Sequence, residues 1–259
     1  MKIALIGYGK MGKLIEQIAV SKGHEIAAIV DKDIQDMQGK AGTVIGNSME
    51  VLDNMSVDAA IEFTVPAAAA ENIIALAKRN IPTVTGTTGW LNKIDEVSRA
   101  VETANSSLLW ASNFSIGVNL FNRIAWYAAE LANNFCEYDI GGFEYHHNKK
   151  LDSPSGTAKT LIEGVISRVE RKNKIVWDTL LHRKPEADEL HFPSIRLGNI
   201  PGTHSLIFDS QADTIEITHT ARNREGFALG AVKAAEWLAL KKRCGVFTID
   251  EMLKEFFND

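Results

Sequence analysis

The sequence predicts an α/β protein that combines an N-terminal doubly wound, Rossmann-type parallel sheet with a smaller α+β substrate domain containing a mixed or antiparallel sheet. In the first half, short apolar runs alternate with amphipathic helical repeats, which is typical of a parallel sheet. In the second half, long helical repeats are followed by paired strand patterns. Because 259 residues exceed the usual size of one hydrophobic core, two domains are expected.

The N-terminal stretch has the pattern of a dinucleotide-binding unit. The short apolar run Lys2–Ile6 predicts a buried strand, and apolar residues from Met11 to Ala19 recur at helical spacing. The turn between them consists of Gly7, Tyr8, Gly9, Lys10, Met11 and Gly12. Glycines at this spacing permit a tight turn and a close backbone approach to a pyrophosphate at the start of a helix. We therefore predict a dinucleotide cofactor.

Two residues after the second strand bear on the choice of cofactor. Asp31 follows the apolar run 25–30, where an acid would accept hydrogen bonds from the adenosine ribose, and the adjacent Lys32 would pair with a 2′-phosphate. The pair favours NADH and tolerates NADPH. A phosphate-binding loop of the G-x-x-x-x-G-K kind is the alternative, because Gly7 to Lys13 fits it, but Leu14 occupies the place of the magnesium ligand.

Three further loops follow predicted strands of the same sheet. We expect strands over 57–63, 81–85 and 107–111, with helices over 66–79 and 91–104. The loops at their carboxyl ends contain Phe63, Thr64, Val65 and Pro66, then Gly86, Thr87 and Thr88, and then Ala111, Ser112, Asn113 and Phe114. Ligands of doubly wound sheets bind outside the carboxyl ends of the strands. These loops are therefore candidates for the cofactor site.

The second half predicts a different arrangement. We expect a helix over 115–134, a strand over 138–144, a helix after Pro154 and an antiparallel hairpin over 204–219. A helix over 227–241 and a last short element would return to the first domain. The predicted domains are residues 1–114 with 224–259 for the dinucleotide and residues 115–223 for substrate binding and oligomerisation.

The stretch from Glu144 to Ala158 concentrates residues that suit acid–base chemistry. It contains the adjacent His146 and His147, then Lys150, and then Ser155, Gly156 and Thr157 at the start of a predicted helix. Histidine and lysine can donate protons, and the amides at a helix start favour an anion. This combination indicates a small anionic substrate that is both held and protonated. A charged surface loop before a helix is the alternative.

Composition bears on the remaining classes of function. A formal net charge of −5 lacks the basic footprint of nucleic-acid binding. Cys136 and Cys244 are far apart, so we expect free thiols in a reducing cytoplasm. No run reaches membrane-spanning length and no signal-peptide core is found, so we expect a cytoplasmic protein with no membrane partner. No metal is predicted, since neighbouring residues such as His146 and His147 point to opposite faces of an extended segment.

Several motifs together resemble the dihydrodipicolinate reductase (4-hydroxy-tetrahydrodipicolinate reductase) family. They are Gly7-Tyr8-Gly9-Lys10-Met11-Gly12, Phe63-Thr64-Val65-Pro66, Gly86-Thr87-Thr88-Gly89, Asn113-Phe114-Ser115-x-Gly117-Val118-Asn119, Glu144-x-His146-His147-x-x-Lys150-x-Asp152-x-Pro154-Ser155-Gly156-Thr157-Ala158, Arg196-x-Gly198 and Pro201-Gly202-x-His204. The resemblance covers essentially the whole chain. The first motif is shared by many dehydrogenases, whereas the long motif is highly specific. Glu62 stands where Asp is expected, and Lys149 where the family often has His.

The resemblance implies hydride transfer from NADH or NADPH to a cyclic dicarboxylate of the diaminopimelate branch of lysine biosynthesis, by a homotetramer. It makes His146 the proton donor or acceptor and Lys150 a second donor that also holds a carboxylate. Carried over by motif, the substrate-binding residues are His147, Ser155, Gly156, Thr157 and Thr88. The residues implied to line the cofactor are Gly7–Gly12, Asp31, Lys32, Gly86–Thr88 and Ala111–Phe114. The motif around His204 places this residue near the substrate or a subunit interface.

Three alternatives remain open. A different nicotinamide dehydrogenase, acting on a semialdehyde or a sugar, would share the first domain, but a semialdehyde enzyme needs a nucleophilic cysteine and neither cysteine follows a strand. A lyase using Lys150 as a Schiff base would leave the dinucleotide pattern without a purpose. A non-catalytic NAD(P)-sensing protein would not need the histidine–lysine cluster.

Overall fold

The computed structural model describes residues 1–34, 42–240 and 243–257, which form two compact units. The first comprises residues 1–115 and 225–259, and the second residues 116–224. These boundaries lie one residue from the expected ones. In the part of the chain described, no helix is both long and apolar enough to cross a bilayer.

The strands and α-helices have the following bounds. The strands are β1 (Lys2–Ile6), β2 (Glu25–Val30), β3 (Val44–Gly46), β4 (Ala59–Glu62), β5 (Thr83–Thr85), β6 (Ser107–Trp110), β7 (Asp139–His146), β8 (Lys174–Val176), β9 (Glu189–His191), β10 (Ser194–Arg196), β11 (Thr203–Asp209), β12 (Thr214–Thr220) and β13 (Gly245–Thr248). The helices are α1 (Lys10–Ser21), α2 (Pro66–Lys78), α3 (Ile94–Thr103), α4 (Ile116–Asn133), α5 (Gly156–Ile166), α6 (Glu225–Leu240) and α7 (Ile249–Phe257).

The first unit contains a parallel sheet of seven described strands in the order β13-β6-β5-β4-β1-β2-β3. The order reverses between β1 and β4, which is the switch point where ligands bind in doubly wound sheets. One core lies beneath α1 and α6. Other apolar clusters lie against α2, α3 and a single 3₁₀ turn over residues 49–52. The strands are apolar because both sheet faces are covered, as the nearly fully buried Ala4 and Leu5 of β1 illustrate.

The second unit has a mixed sheet in the order β10-β7-β11-β12, and a separate pair β8-β9. Strand β7 runs parallel to β10 and antiparallel to β11, and β11 forms the expected hairpin with β12. Apolar residues of α4 and α5 pack against the sheet in one core. The fold-class prediction, a Rossmann-type sheet with a smaller α+β part, is confirmed.

Several elements differ from the predicted ones. Residues 91–93 form a 3₁₀ turn, so α3 begins only at Ile94. The short strands β3 and β13 were not predicted, since three or four residues carry little periodicity. The most important difference is that β7 continues to His146 rather than ending at Glu144. Both residues therefore lie on one face of a strand, because side chains two apart share a face.

The α4–α5 contact depends on a glycine. A Cβ at Gly164 of α5 would lie 2.1 Å from Nε1 of Trp126 in α4. That indole nitrogen donates to the Leu161 carbonyl at 3.0 Å. The two helices therefore approach closely only because position 164 has no side chain.

We expect Gly164→Ala to lower the free energy of unfolding by about 1–3 kcal/mol, because overpacking displaces the indole and breaks its hydrogen bond. This loss opposes the gain of about 1 kcal/mol that alanine brings to a helix. Differential scanning calorimetry measures it as a lower Tm. Glu163→Ala, at the exposed neighbouring position, is the control and should change stability by no more than about 0.5 kcal/mol. Equal Tm values for both variants would contradict the packing.

Candidate active site

Two glycines of the turn after β1 lie directly against backbone carbonyl groups. Gly7 has a φ of +90°, and a Cβ there would lie 2.2 Å from the Phe63 carbonyl oxygen. A Cβ at Gly12 would lie 2.2 Å from the carbonyl oxygen of Gly7. At Gly9, in contrast, the described residues place no atom within 4 Å of the position that a Cβ would take, apart from the glycine itself and its two chain neighbours. Gly7 and Gly12 are thus required by the fold, and Gly9 leaves open space.

The open space at Gly9 lies at the start of α1. Gly9 is the N-cap residue of this helix, and its first turn contains no acid. No side chain in the described part of the chain caps the first amides. The first amides of a helix point outward and carry partial positive charge, so they favour an anion. A dinucleotide pyrophosphate fits this arrangement, as the glycine pattern predicts.

Asp31 lies directly beside this turn. Its Oδ2 accepts a hydrogen bond from the Tyr8 amide at 2.6 Å, and its Oδ1 accepts one from the Asp33 amide at 3.0 Å. Lys32 is 79% exposed and its Nζ lies 3.8 Å from Asp33. The predicted ribose acceptor therefore lies next to the predicted pyrophosphate site, and the lysine beside it is accessible.

Tyr8 is held in this turn by its hydroxyl, which donates to Glu16. Burial raises the pKa of Tyr8 to about 12, and the hydrogen bond to Glu16 and the negative charge of Glu16 contribute to this shift. The phenol therefore remains protonated and continues to donate. The Nζ of Lys13 lies 5.8 Å from the centre of its ring.

A fully buried carboxylate connects the next two loops. Glu62, at the end of β4, accepts hydrogen bonds from the hydroxyls of Thr64 and Thr85. The Thr64 amide in turn donates to the Thr87 hydroxyl at 2.8 Å. The Asn72 amide of α2 is 3.5 Å from Glu62. The loops after β4 and β5 are therefore fixed to each other through Glu62, whose role the sequence did not reveal.

The other predicted cofactor residues lie on these loops and on the one after β6. Gly86 packs so closely on the Phe63 ring that a Cβ would lie 2.1 Å from Cζ. Thr88 and Ser112 are exposed, whereas Ala111 and Phe114 are buried. The Phe63 and Phe114 ring centres are 6.1 Å apart. The side chain of Asn113 accepts from the Ser115 amide at 2.8 Å.

In the second unit, sheet register brings the polar residues together. Strand pairing places Ser194 of β10 and His204 of β11 on either side of Glu144 in β7. His146 lies two residues further along the same face of β7, opposite Arg196. Residues of three neighbouring strands thus form one polar cluster around the buried Glu144.

Glu144 is the centre of this cluster and has no exposed surface. Its Oε1 accepts from the Ser155 amide at 3.0 Å, from the Ser194 hydroxyl at 2.7 Å and, more distantly, from Arg196 at 3.5 Å. Its Oε2 accepts from the Ser155 hydroxyl and lies 3.2 Å from Nε2 of His204. Burial raises the pKa of Glu144, but the hydrogen bonds from His204, Ser155 and Ser194 outweigh it and hold the pKa well below its usual range. The carboxylate is therefore ionised.

His146 lies above the same carboxylate and is 7% exposed. Its Nδ1 is 3.4 Å from Oε2 of Glu144, and its ring meets that of His204 edge-on at 5.2 Å. Burial lowers the pKa of His146 to about 4; the charge of Glu144 opposes this, and those of His204, Lys150 and Arg196 add to it. The imidazole is thus neutral at pH 7.

Lys150 lies on the loop after β7. Its Nζ donates to both oxygens of Asp152, at 2.8 and 2.9 Å, and these contacts lower the pKa of Asp152. Arg196 donates to the Asp152 carbonyl at 2.6 Å. The loop carrying the predicted proton donor is therefore held by two cations. His147, at its start, is half-buried, and its Nδ1 has no hydrogen-bond partner among the described residues.

Ser155 makes its hydrogen bonds within the protein. Its amide and hydroxyl both donate to Glu144, and its hydroxyl accepts from the Ala158 amide at 3.1 Å, which caps α5. The contact of Ser155 with a substrate stays a prediction. Gly156 follows it as the first residue of α5, and outside its chain neighbours and its own helix backbone no atom of the described residues lies within 4 Å of the position of a Cβ. The open space thus begins at Gly156.

Glu144, His146 and His204 also offer ligand atoms within 4.8 Å of one another, close enough to be considered for a metal ion. Both Glu144 oxygens, however, already accept hydrogen bonds from protein groups. A cation would have to displace these donors, so hydrogen bonding accounts for the cluster better than metal binding.

The sequence left Glu144, Ser194 and His204 without a specific role. The available signal was the spacing Glu144-x-His146 within an apolar strand pattern, which places both side chains on one face. The position of Ser194 depended on strand pairing between residues 50 apart, which a single sequence does not display.

Known proteins resemble this chain over its full length. The family model for the N-terminus of dihydrodipicolinate reductase matches residues 1–114, and the model for the C-terminus matches residues 117–253. A 4-hydroxy-tetrahydrodipicolinate reductase of Christiangramia forsetii is 39% identical over all of both chains. One from Archaeoglobus fulgidus is 35% identical over 98% of this chain and all of its own.

A solved structure shares the fold. The dipicolinate-bound dihydrodipicolinate reductase from Paenisporosarcina sp. TG-14 has a TM-score of 0.77 at 22% identity, covering 96% of this chain and 97% of its own. The resemblance seen in the motifs and the prediction of an NAD(P)H-dependent reductase are confirmed. The chain belongs to the dihydrodipicolinate reductase family.

Proposed function

We propose that this protein transfers a hydride from NADH or NADPH to the cyclic dicarboxylate 4-hydroxy-tetrahydrodipicolinate and so produces tetrahydrodipicolinate. The observation that carries the proposal is the buried Glu144–His146–His204 cluster beside Lys150, in a chain of this family. A protein that only bound a nucleotide would not need buried acid–base residues of this kind.

The first unit would hold the cofactor. The pyrophosphate would lie at Gly7–Gly12 and the start of α1, and the adenosine ribose at Asp31, with Lys32 beside a 2′-phosphate. The loops Gly86–Thr88 and Ala111–Phe114 would line the remainder. When bound, the reduced nicotinamide supplies the hydride.

The second unit would hold the two carboxylates of the substrate. Gly156 and Thr157 offer amides at the start of α5, and His147 and Lys150 offer side-chain donors. Thr88, exposed on its loop, is the predicted contact from the first unit. Two negative charges explain why cations and helix amides occur together in this sequence.

The chemistry assigned to His146 and Lys150 is protonation. Hydride addition to a conjugated imine leaves an electron-rich enamine carbon that must gain a proton. His146 is neutral in the free protein, and the negative charge of a bound dicarboxylate would raise its pKa. Lys150 would stabilise the developing charge and serve as a second donor.

The alternatives are less well supported. A non-catalytic NAD(P)-sensing protein has no use for the buried cluster, and a different nicotinamide dehydrogenase does not account for the family match over both units. We further propose a cytoplasmic homotetramer acting on a small molecule. The exposed Cys136 and Cys244, which form no disulfide, support the compartment, and exposed apolar residues on the outer strands of the second sheet, such as Ile195 and Ile215, support the assembly.

The proposed reaction is tested by the oxidation of NADH, followed by absorbance, in the presence of 4-hydroxy-tetrahydrodipicolinate. We expect turnover only when the dicarboxylate is present. His146→Ala and Lys150→Ala should each lower kcat by about 10²–10⁴-fold, the usual contribution of acid–base catalysis. The Kd for NADH should change by less than about threefold, because the residues assigned to the cofactor are elsewhere.

Lys149→Ala provides the matched control, since Lys149 is an exposed neighbour in the same loop. It should retain nearly full activity. NADH binding without turnover in the native protein would favour a sensor. Equal losses of cofactor affinity and kcat in the His146 and Lys150 variants would contradict the roles given to them.

Lys32 is expected to affect the choice of cofactor. Because Lys32 directly follows Asp31 and its ammonium is exposed, Lys32→Ala should raise the KM for NADPH by about tenfold, equivalent to about 1.4 kcal/mol, and leave the KM for NADH nearly unchanged. Steady-state kinetics with both cofactors measure this ratio. The control is Lys22→Ala, a lysine after α1. An unchanged ratio in Lys32→Ala would place recognition of the 2′-phosphate elsewhere.

A further inference from the structure

One of the two ring nitrogens of His146, Nδ1, faces the carboxylate of Glu144. The Nδ1 of His146 is buried and has no hydrogen-bond partner among the described residues. The Oε2 of Glu144 lies 3.4 Å from it, just beyond a good hydrogen bond. A small rotation of the ring would complete that bond.

We propose that Glu144 is a positioning residue that fixes His146 as its Nδ1–H tautomer, so that Nε2 is the atom that gains and releases the catalytic proton. The inference rests on the proposed reductase function, which gives His146 its task. An ionised carboxylate can only accept hydrogen bonds, so the imidazole nitrogen that faces it must carry the hydrogen.

The surroundings of Nε2 agree with this assignment. Nε2 lies beside Gly202, where a Cβ would come within 2.8 Å of it. Any residue other than glycine would therefore fill the space next to this nitrogen. The two ring nitrogens of His146 thus face different groups: Nδ1 faces a carboxylate, and Nε2 faces a position without a side chain.

The charges around His146 give Glu144 a second effect. The ring is approached by His204 on β11, Arg196 on β10 and Lys150 on the loop, all of which disfavour a proton on His146. Glu144, beneath it on β7, is the acidic group that favours one. The carboxylate that sets the tautomer therefore also offsets the charge when Nε2 becomes protonated.

The hydrogen bonds of Glu144 make a single substitution informative. The Ser155 amide and the Arg196 guanidinium both point to Oε1 and can only donate. In Glu144→Gln the amide oxygen must therefore occupy the place of Oε1. The NH₂ group then takes the place of Oε2, among the Ser155 hydroxyl, Nε2 of His204 and Nδ1 of His146. A hydrogen of this group directed at Nδ1 requires the imidazole hydrogen to move to Nε2. Replacing a carboxylate by an amide beside a catalytic histidine has this effect on tautomers in serine proteases.

The test is nitrogen NMR of the full-length protein labelled with ¹⁵N-histidine, recorded by magic-angle spinning at pH 7 without substrate. His146→Gln identifies the signals of His146. We expect a protonated Nδ1 and an unprotonated Nε2 in the native protein, and the reverse in Glu144→Gln. The native spectrum decides by itself if Glu144→Gln does not fold: an Nε2–H tautomer there would overturn the proposal.

Ser194→Ala is the matched control. It removes a hydroxyl donor from Oε1 at 2.7 Å and leaves Oε2 facing His146. We expect it to retain the native tautomer. If Ser194→Ala reversed the tautomer as well, general loosening of the cluster rather than the Glu144 charge would be the cause, and the proposal would fail.

Kinetics provide the second measurement. Glu144→Gln should lower kcat by about 10- to 100-fold, part of the full contribution of acid–base catalysis, with an unchanged Kd for NADH. A native kcat in a variant with the reversed tautomer would overturn the proposal. Because the NMR measurement needs no turnover, an inactive native protein would count against the proposed function alone, and an unexpected tautomer against this inference alone.

Discussion

A fully buried carboxylate is tolerated only when hydrogen bonds compensate for the lost water, and Glu144 obtains them from separate segments of the second unit. Ser194 comes from β10, His204 from β11 and Ser155 from the start of α5. Removing the carboxylate would leave several donors without an acceptor. The position of each segment therefore depends on the same carboxylate that lies beneath His146, and the geometry of the site follows from a requirement of folding.

The first unit uses the same device at the ends of its strands. Glu62 is fully buried and accepts hydrogen bonds from Thr64, in the loop after β4, and from Thr85, at the end of β5. Loops usually derive little rigidity from their own short backbones. Here a carboxylate at the end of a central strand gives two neighbouring loops a common anchor. An Asp at position 62, which the family resemblance suggested, has one methylene less with which to reach the threonines.

The sequence predicted what local patterns carry. The strand–turn–helix around Gly7, the alternating elements of the first unit and the residues of the long motif were all readable, since each depends on neighbours within about 20 residues. The cluster around Glu144 was not, because it is assembled by the pairing of β7 with β10 and β11. The internal hydrogen bonds of Ser155 were not readable either. A residue between a proline and a glycine at a helix start suggests an anion site, but its donors are taken by an acid eleven residues earlier.

The space around each glycine separates the glycines that the fold requires from those that the fold does not explain. Gly7 and Gly12 have backbone atoms where a Cβ would lie, so the fold accounts for them. Gly9 and Gly156 have open space there, and glycine at a helix start otherwise adds only conformational entropy to the unfolded chain. A residue that destabilises without relieving a clash needs another explanation, and both positions adjoin helix amides that favour anions. The two helix starts, one in each unit, are therefore the places where we propose that a pyrophosphate and a carboxylate are held, and the protonation that we propose for His146 depends on the charge of that carboxylate.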